Sequence, residues 1–410
     1  MESTSIVAFK NWILDHGGSF HRKTALTQAS NGCGLVARED IPGNEEIVSC
    51  PFGLAITGST SQAAVSQLLT IEQAPELAFR QWICIYMVLH WVVGEDEDAL
   101  QYLKHFPYID LLPPQSDLLT ALYFTAEELE AFKGTNIYGA CGDRLRDWQI
   151  EWMQCLEVVS QHKPEWGLQF EWSMYLAAAT YISSRAFPST ILSRTPQLPN
   201  FDNEDDTPSE PVLLPGVDIL NHARGQPVTW ISHTQPQAPV ERVTIVPHDP
   251  TPAGQEIFNN YGPKPNAELL LGYGFTLPNN PDDTIVLKLG GANGRKWSVG
   301  RNARGVEGLW IEILTAVGGN SDSEADGDFE TILDAGGALG EMASSMYERL
   351  PTVEAIAGKP GIRAQVVQMF RHYVEGQRAI LKSLIEYAQK KEEEAIELAR
   401  SQGVDLILED

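Results

Sequence analysis

The chain contains no Cys-x-x-Cys pair. Its five cysteines, at 33, 50, 84, 141 and 155, are scattered; that pattern excludes a thiolate zinc cluster of the usual spacing and suits a reducing compartment. No apolar run can span a bilayer: the longest, Trp82–Val93, has 12 residues and includes His90, so it reads as a buried helix and no membrane partner is expected. Met1–Trp12 lacks the basic-then-apolar pattern of a signal peptide. A cytoplasmic or nuclear protein is the expectation. Positive charge is scarce as well, with 29 Lys+Arg against 55 Asp+Glu and a formal net charge of −26. That excludes a general phosphate-backbone binder, so no direct nucleic-acid contact is expected. A basic partner protein remains compatible with it, and so does simple solubility.

Core material, by contrast, is ample. Hydrophobic residues make up 43% of the 410, with 10 Trp, 12 Tyr and 14 Phe, which argues for a folded chain of two or three domains. The acidity is local: Glu95–Asp98 hold four acids, Asp202–Glu210 five and Asp322–Asp334 six, with no Lys or Arg between them. The second and third of these stretches are rich in Gly, Ser, Asn and Pro and read as solvated loops.

Residues 32–57 show short apolar runs punctuated by Gly and Pro, a strand pattern. From 60 to 186 the spacing turns helical, as in Trp82, Ile85, Tyr86 and Leu89, then Trp148, Trp152, Cys155 and Val159. Trp172–Phe187 reads as a helix stopped by Pro188. Strand signals return in V-T-W-I-S, V-E-R-V-T-I-V-P, Q-E-I-F-N and T-I-V-L-K-L, with a tight turn expected at Asn293-Gly294 before K-W-S-V. Beyond 306 the chain is helical; Val366, Phe370, Tyr373, Leu381, Leu384 and Ile385 form one stripe, and the charged 390–394 run continues the last helix. Strands do not alternate with single helices, so the fold class is α+β.

Gly32-Cys33-Gly34-Leu35-Val36-Ala37 matches G-x-G-x-x-A, but no apolar strand precedes it and Pro42-Gly43 cuts off any helix. A dinucleotide fold is therefore disfavoured, and a glycine turn feeding a strand is the better reading. Asp218, Asn221 and His222 follow an apolar stretch and would share a face of a helical turn. These residues alone leave two readings open: a metal site using Asp218 and His222, completed by His233 or His248, or Asp218 as a helix cap with His222 in the core. Two Tyr-Gly pairs, Tyr261-Gly262 and Tyr273-Gly274, bracket a short amphipathic helix that includes Asn266-Ala267-Glu268 and leads to Phe275.

Together, D-x-x-N-H at 218–222, the Y-G…N-A-E…Y-G-F segment at 261–275, Ser184-Arg185-Ala186-Phe187 and Gly32–Ala37 resemble the SET-domain protein-lysine methyltransferases of the Rubisco large-subunit methyltransferase type. The resemblance covers essentially the whole chain. It implies a β-rich SET domain in two parts, 1–60 and 171–290, a helical insertion at 61–170, and a separate helical substrate-binding-like domain at 291–410. It implies S-adenosylmethionine as methyl donor, no metal, and segments at 217–222 and 258–262 that cross. By the same resemblance Gly34 and Leu35 offer backbone groups to the methionine end, and Arg185 meets its carboxylate. Asp218, Asn221 and His222 complete the cofactor set, with Asn221 and His222 at the amino group and adenine. Tyr273 and Phe275 wall the pocket, Tyr261 is the catalytic hydroxyl, and Phe187, Tyr261 and Tyr273 border the substrate. Asn31 stands where relatives often carry an acid. Phe187 is aromatic where histidine-directed relatives carry a polar amide, which favours a lysine stem. The implied partner is a protein presenting a lysine, ribosomal proteins and translation factors being among the substrates of relatives, with the enzyme acting as a monomer. Protein-histidine methylation and a non-catalytic SET-like scaffold for basic proteins are the alternatives.

Overall fold

The computed structural model describes residues 3–29, 32–193, 209–234, 240–290, 294–318 and 328–404. Asn31, Asn293 of the expected tight turn, Asp202–Asp206 and Asp322–Asp326 lie outside the described residues. Two compact units divide the chain, Met1–Leu118 with Arg144–Pro263 and Leu119–Asp143 with Lys264–Asp410.

The first unit holds strands β1 (Ser19–Phe20), β2 (Thr24–Ala29), β3 (Gly32–Ala37), β4 (Val48–Pro51), β5 (Phe187–Pro188), β6 (Pro211–Val212), β7 (Val228–His233) and β8 (Arg242–Pro247). An antiparallel sheet runs β1-β4-β8-β7, while β2 pairs with β3 and β5 with β6. The register sets Leu26 opposite Leu35 and Cys50 opposite Val243, all four buried. Q-E-I-F-N is not a continuous strand: it touches its neighbours through single bridges, Glu256 with Val36 and Asn259 with His222. Helix Phe79–Val93 is buried without a break from Gln81 to His90, which is why its sequence is apolar all round rather than striped. Helix Trp172–Arg185 ends before Phe187, since Phe187 pairs with Val212 in the β5–β6 ribbon.

Within this unit a polar cluster sits among the buried helices. Tyr86 Oη lies 2.5 Å from His105 Nδ1, and the His105 N–H donates to His90 Nε2 at 3.2 Å. With Nε2 accepting, His90 donates from Nδ1 to the Tyr86 carbonyl at 2.8 Å and is held neutral. Burial pushes His90 down to about 4 and holds His105 well below its ordinary range. An unfolded histidine titrates near 6.5, so the unfolded chain takes up these protons first as pH falls. The stability the neutral cluster contributes is complete above pH ~6.5 and is lost towards pH ~4, by roughly 3 kcal/mol for a shift of His90's size. Thermal melts between pH 7 and 4.5 should show the midpoint falling, and His90→Gln should flatten that fall; an equal fall in both proteins would refute the assignment.

The second unit has strands β9 (Thr284–Lys288) and β10 (Lys296–Gly300), paired antiparallel, with helices Glu307–Ala316, Phe329–Arg349 and Ala364–Ser401. Its core joins Ile285, Leu287 and Val299 of the ribbon to Leu309, Leu339, Leu381 and Leu384 of the helices. The apolar stripe of the last helix is buried as its spacing predicts, from Val366 and Phe370 to Leu384, and the helix runs on through 390–394. The open edge of β9 is closed by a side chain: Asn136 accepts from the Val286 N–H at 3.4 Å and donates to its carbonyl at 3.2 Å, the two bonds a neighbouring strand would make. No described helix is long and apolar enough to cross a membrane.

Candidate active site

Two segments meet in the first unit. The Asn259 N–H donates to the Asn221 carbonyl at 2.8 Å, and the Ala223 N–H to the Asn259 carbonyl at 2.9 Å, a parallel bridge between 221–223 and 259. Trp230 Nε1 donates to Asn259 Oδ1 at 2.9 Å, fixing that buried side chain. The Tyr261 N–H donates to His222 Nδ1 at 3.0 Å, and the two rings stack with centroids 5.0 Å apart. Since Nδ1 accepts, the ring proton of His222 belongs on Nε2. Tyr261 Oη donates to the Leu220 carbonyl at 2.9 Å. The phenol's remaining capacity is therefore as an acceptor.

The helical turn expected to align Asp218, Asn221 and His222 is only one short turn, Val217–Ile219, after which Leu220 is extended. Chain pairing with 259 wins over helix continuation, so the three side chains part: Asp218 meets Tyr108 and Arg185, Asn221 meets Glu256, and His222 meets Tyr261. The Asp218 carboxylate, fully buried, accepts from Tyr108 Oη at 2.6 Å, the Gly216 N–H at 3.2 Å and Arg185 Nη1 at 3.3 Å. Burial pushes its carboxyl above the usual range against the pull of Arg185 and Tyr108. Burial alone would lower the Arg185 guanidinium, but Asp218, Tyr108 and Tyr261 hold it up. Arg185 thus stays charged, oriented by an acid beneath it.

β3 runs beside these groups. Leu35 takes the Ile257 N–H on its carbonyl at 2.8 Å, and the Ala37 N–H donates to the Gln255 carbonyl at 2.9 Å. A Cβ on Gly34 would lie 2.8 Å from Glu256 Oε1 and 3.5 Å from Asn221 Nδ2, so a side chain here would displace the Glu256 carboxylate. Phe187 is buried, its ring meeting Trp230 edge-on with centroids 4.9 Å apart. In the second unit Asn266–Glu268 leads into a π-helical turn, Leu269–Tyr273, closed by Gly274 at φ 82°. A Cβ on Gly274 would sit 2.8 Å from the Leu119–Thr120 backbone. Tyr273 ends this turn and Phe275 follows it, their ring centroids 6.2 Å apart, and Lys264 Nζ lies 5.5 Å from the Tyr273 ring. Burial pushes the Tyr273 phenol up, against Lys264.

No protein-family model matches the chain. It is 32% identical over 284 residues, 67% of its length, to the ribosomal lysine N-methyltransferase set10 of Schizosaccharomyces pombe. Identity is 25% over 295 residues, 70% of the chain, to the N-lysine methyltransferase SETD6 of Rattus norvegicus. It is also 25% over 279 residues, 68% of the chain, to the actin-histidine N-methyltransferase of Rhinolophus ferrumequinum. The chain spans 46%, 58% and 43% of these three proteins. The solved SET domain of LSMT bound to lysine and AdoHcy aligns with a TM-score of 0.73 at 18% identity, over 96% of this chain and 93% of that one. Rubisco LSMT bound to AdoMet aligns at 0.70 and 18% identity, over 100% and 98%. The chain has the SET fold in its Rubisco LSMT form.

Of the residues the SET resemblance singles out, Gly34, Leu35, Arg185, Asp218, Asn221, His222, Phe187 and Tyr261 lie in the first unit, and Tyr273 and Phe275 in the second. His233 stands 3.3 Å from Glu46, and His248 bonds Thr229 and Asn44, so neither joins Asp218 and His222. Among the described residues no group of three His, Cys, Asp or Glu could hold a metal. Three residues in contact with these groups carry no signal in the sequence: Tyr108 bonds Asp218, Trp230 lies between Asn259 and Phe187, and Glu256 takes Asn221 Nδ2 at 2.6 Å.

Proposed function

We propose that this SET protein transfers methyl groups from S-adenosylmethionine to a lysine side chain of a protein, and that its substrate is a ribosomal protein. The carrying observation is the Tyr261 hydroxyl, whose proton is committed to the Leu220 carbonyl. Such an oxygen meets an amine N–H as acceptor and turns the nitrogen lone pair outward. The surrounding groups fit the donor's amino-acid end: a guanidinium at Arg185 for a carboxylate, Asn221 beside Glu256 for an ammonium, and a bare backbone at Gly34. When bound, S-adenosylmethionine supplies a methyl group on a sulfonium. Arg185, Asn221 and His222 would hold it, Gly34 and Leu35 would approach it through the backbone, and Asp218 acts by holding Arg185. A free lysine is about 3 pKa units too basic to be neutral at pH 7, roughly 4 kcal/mol. Tyr261 orients the neutral amine and meets the positive charge that develops on it.

The substrate class draws support from the name of the Schizosaccharomyces pombe relative and from the −26 charge, which suits a basic partner. Phe187, packed on Trp230, gives an aromatic wall for an alkyl stem. The actin-histidine relative supports histidine methylation as the second reading. The proposal includes a monomer working in the cytoplasm or nucleus. Incubating the protein with tritiated S-adenosylmethionine and purified ribosomes should label a ribosomal protein, and amino-acid analysis should give methyllysine. Methylhistidine would promote the second reading; absence of any labelled protein in ribosomes or whole extract would sink both.

A further inference from the structure

We propose that Glu256 is the anionic half of the cofactor subsite: it fixes Asn221 as a hydrogen-bond acceptor and reads the ammonium of the donor's amino-acid end. The inference rests on the S-adenosylmethionine reading and deepens it. Glu256 lies opposite Val36 in an antiparallel bridge, on the segment that pairs with the edge of β3. The diagonal neighbour on that face is Gly34, and because Gly34 has no side chain, Glu256 leans across it. Its Oε1 reaches Asn221 Nδ2 at 2.6 Å, a short, charge-assisted bond. A carboxylate only accepts, so the amide must turn its NH2 to Glu256, and its oxygen is fixed on the opposite side.

Charge decides which acid serves the ammonium. Asp218 is buried beneath Arg185, Tyr108 and Gly216, and its charge offsets that of Arg185. Glu256, half-buried and beside Asn221, is the acid of this set whose charge is not offset there. A zwitterion bound between Arg185 and the Asn221–Glu256 pair then sets its carboxylate against the guanidinium that Asp218 orients and its ammonium against the carboxylate of Glu256. The subsite is thereby selective for an α-amino acid terminus over a plain carboxylic acid.

Calorimetry with S-adenosylhomocysteine and with its desamino analogue, in which hydrogen replaces the α-ammonium, separates the possibilities. Wild-type protein should bind the desamino compound roughly 10- to 100-fold more weakly, the range for a hydrogen bond to a charged group. Glu256→Gln should weaken S-adenosylhomocysteine by a similar factor and bring the two affinities together. Glu256→Asp, which keeps the charge on a shorter stem, should retain part of the discrimination and guards against a folding defect, checked by thermal melts of each variant. If wild type and Glu256→Gln show the same ratio of affinities, this inference is overturned while the cofactor reading stands. If wild type binds neither compound, the cofactor reading falls and takes this inference with it.

Discussion

Tyr261→Phe should reduce the methyl-transfer rate constant by roughly 100-fold or more while leaving the affinity for S-adenosylhomocysteine within about twofold. The magnitude follows that of removing one preorganised hydrogen-bonding group from a transition-state site. The selectivity follows from geometry. The hydroxyl bonds the Leu220 carbonyl, whereas the ring stacks on His222 and its backbone N–H holds His222 Nδ1. Phenylalanine keeps the stack and the backbone bond, so the His222 tautomer and the 221–259 pairing survive. Only the oxygen that we propose meets the amine is lost. Single-turnover kinetics with purified substrate, alongside calorimetry, would show kcat falling without a change in cofactor binding. An unchanged rate would remove Tyr261 from the chemistry.

The second large effect is on stability. Asp218→Ala should destabilise the first unit by about 3–5 kcal/mol, the cost of leaving one member of a buried ion pair behind. The Arg185 side chain is 16% exposed and the Asp218 side chain 0%, so solvent cannot replace the lost carboxylate. Tyr108 Oη and the Gly216 N–H would lose their acceptor at the same time. The double variant Arg185→Met/Asp218→Ala should be more stable than Asp218→Ala alone, because the uncompensated charge is gone. Urea unfolding of the three proteins tests this; a single variant within 1 kcal/mol of wild type would show that the pair does not hold the site.

How far the sequence revealed this arrangement depended on where the partners lie. Tyr261, His222 and Arg185 stand in short local patterns, and those patterns could be read. Tyr108 could not, because it is 110 residues from the carboxylate it bonds. Glu256 reads as one more surface acid in a chain rich in them, and its place comes only from a single bridge to Val36 that lets it lean over Gly34. The turn at Asp218 misled periodicity, since side-chain spacing says nothing of a backbone that leaves the helix to pair with residue 259. The long helices were legible because packing repeats along them: one face of Ala364–Ser401 meets the core from Val366 to Ala399. The edge guard at Val286 was hidden, as no pattern ties Asn136 to a strand 150 residues away.

The pairing of 220–223 with 259–261 also governs when the candidate site can first exist during synthesis. β3 finds its hairpin partner within a few residues, but its other neighbours, Gln255–Ile257, come more than 200 residues later. Until that segment leaves the ribosome, Asn221 lacks its anchor, His222 lacks its N–H donor, and Gly34 faces nothing. Closing so long a loop adds little entropy per extra residue, so the delay is one of order rather than of stability. A nascent chain stopped before residue 255 would carry the motif residues up to His222 and no binding site.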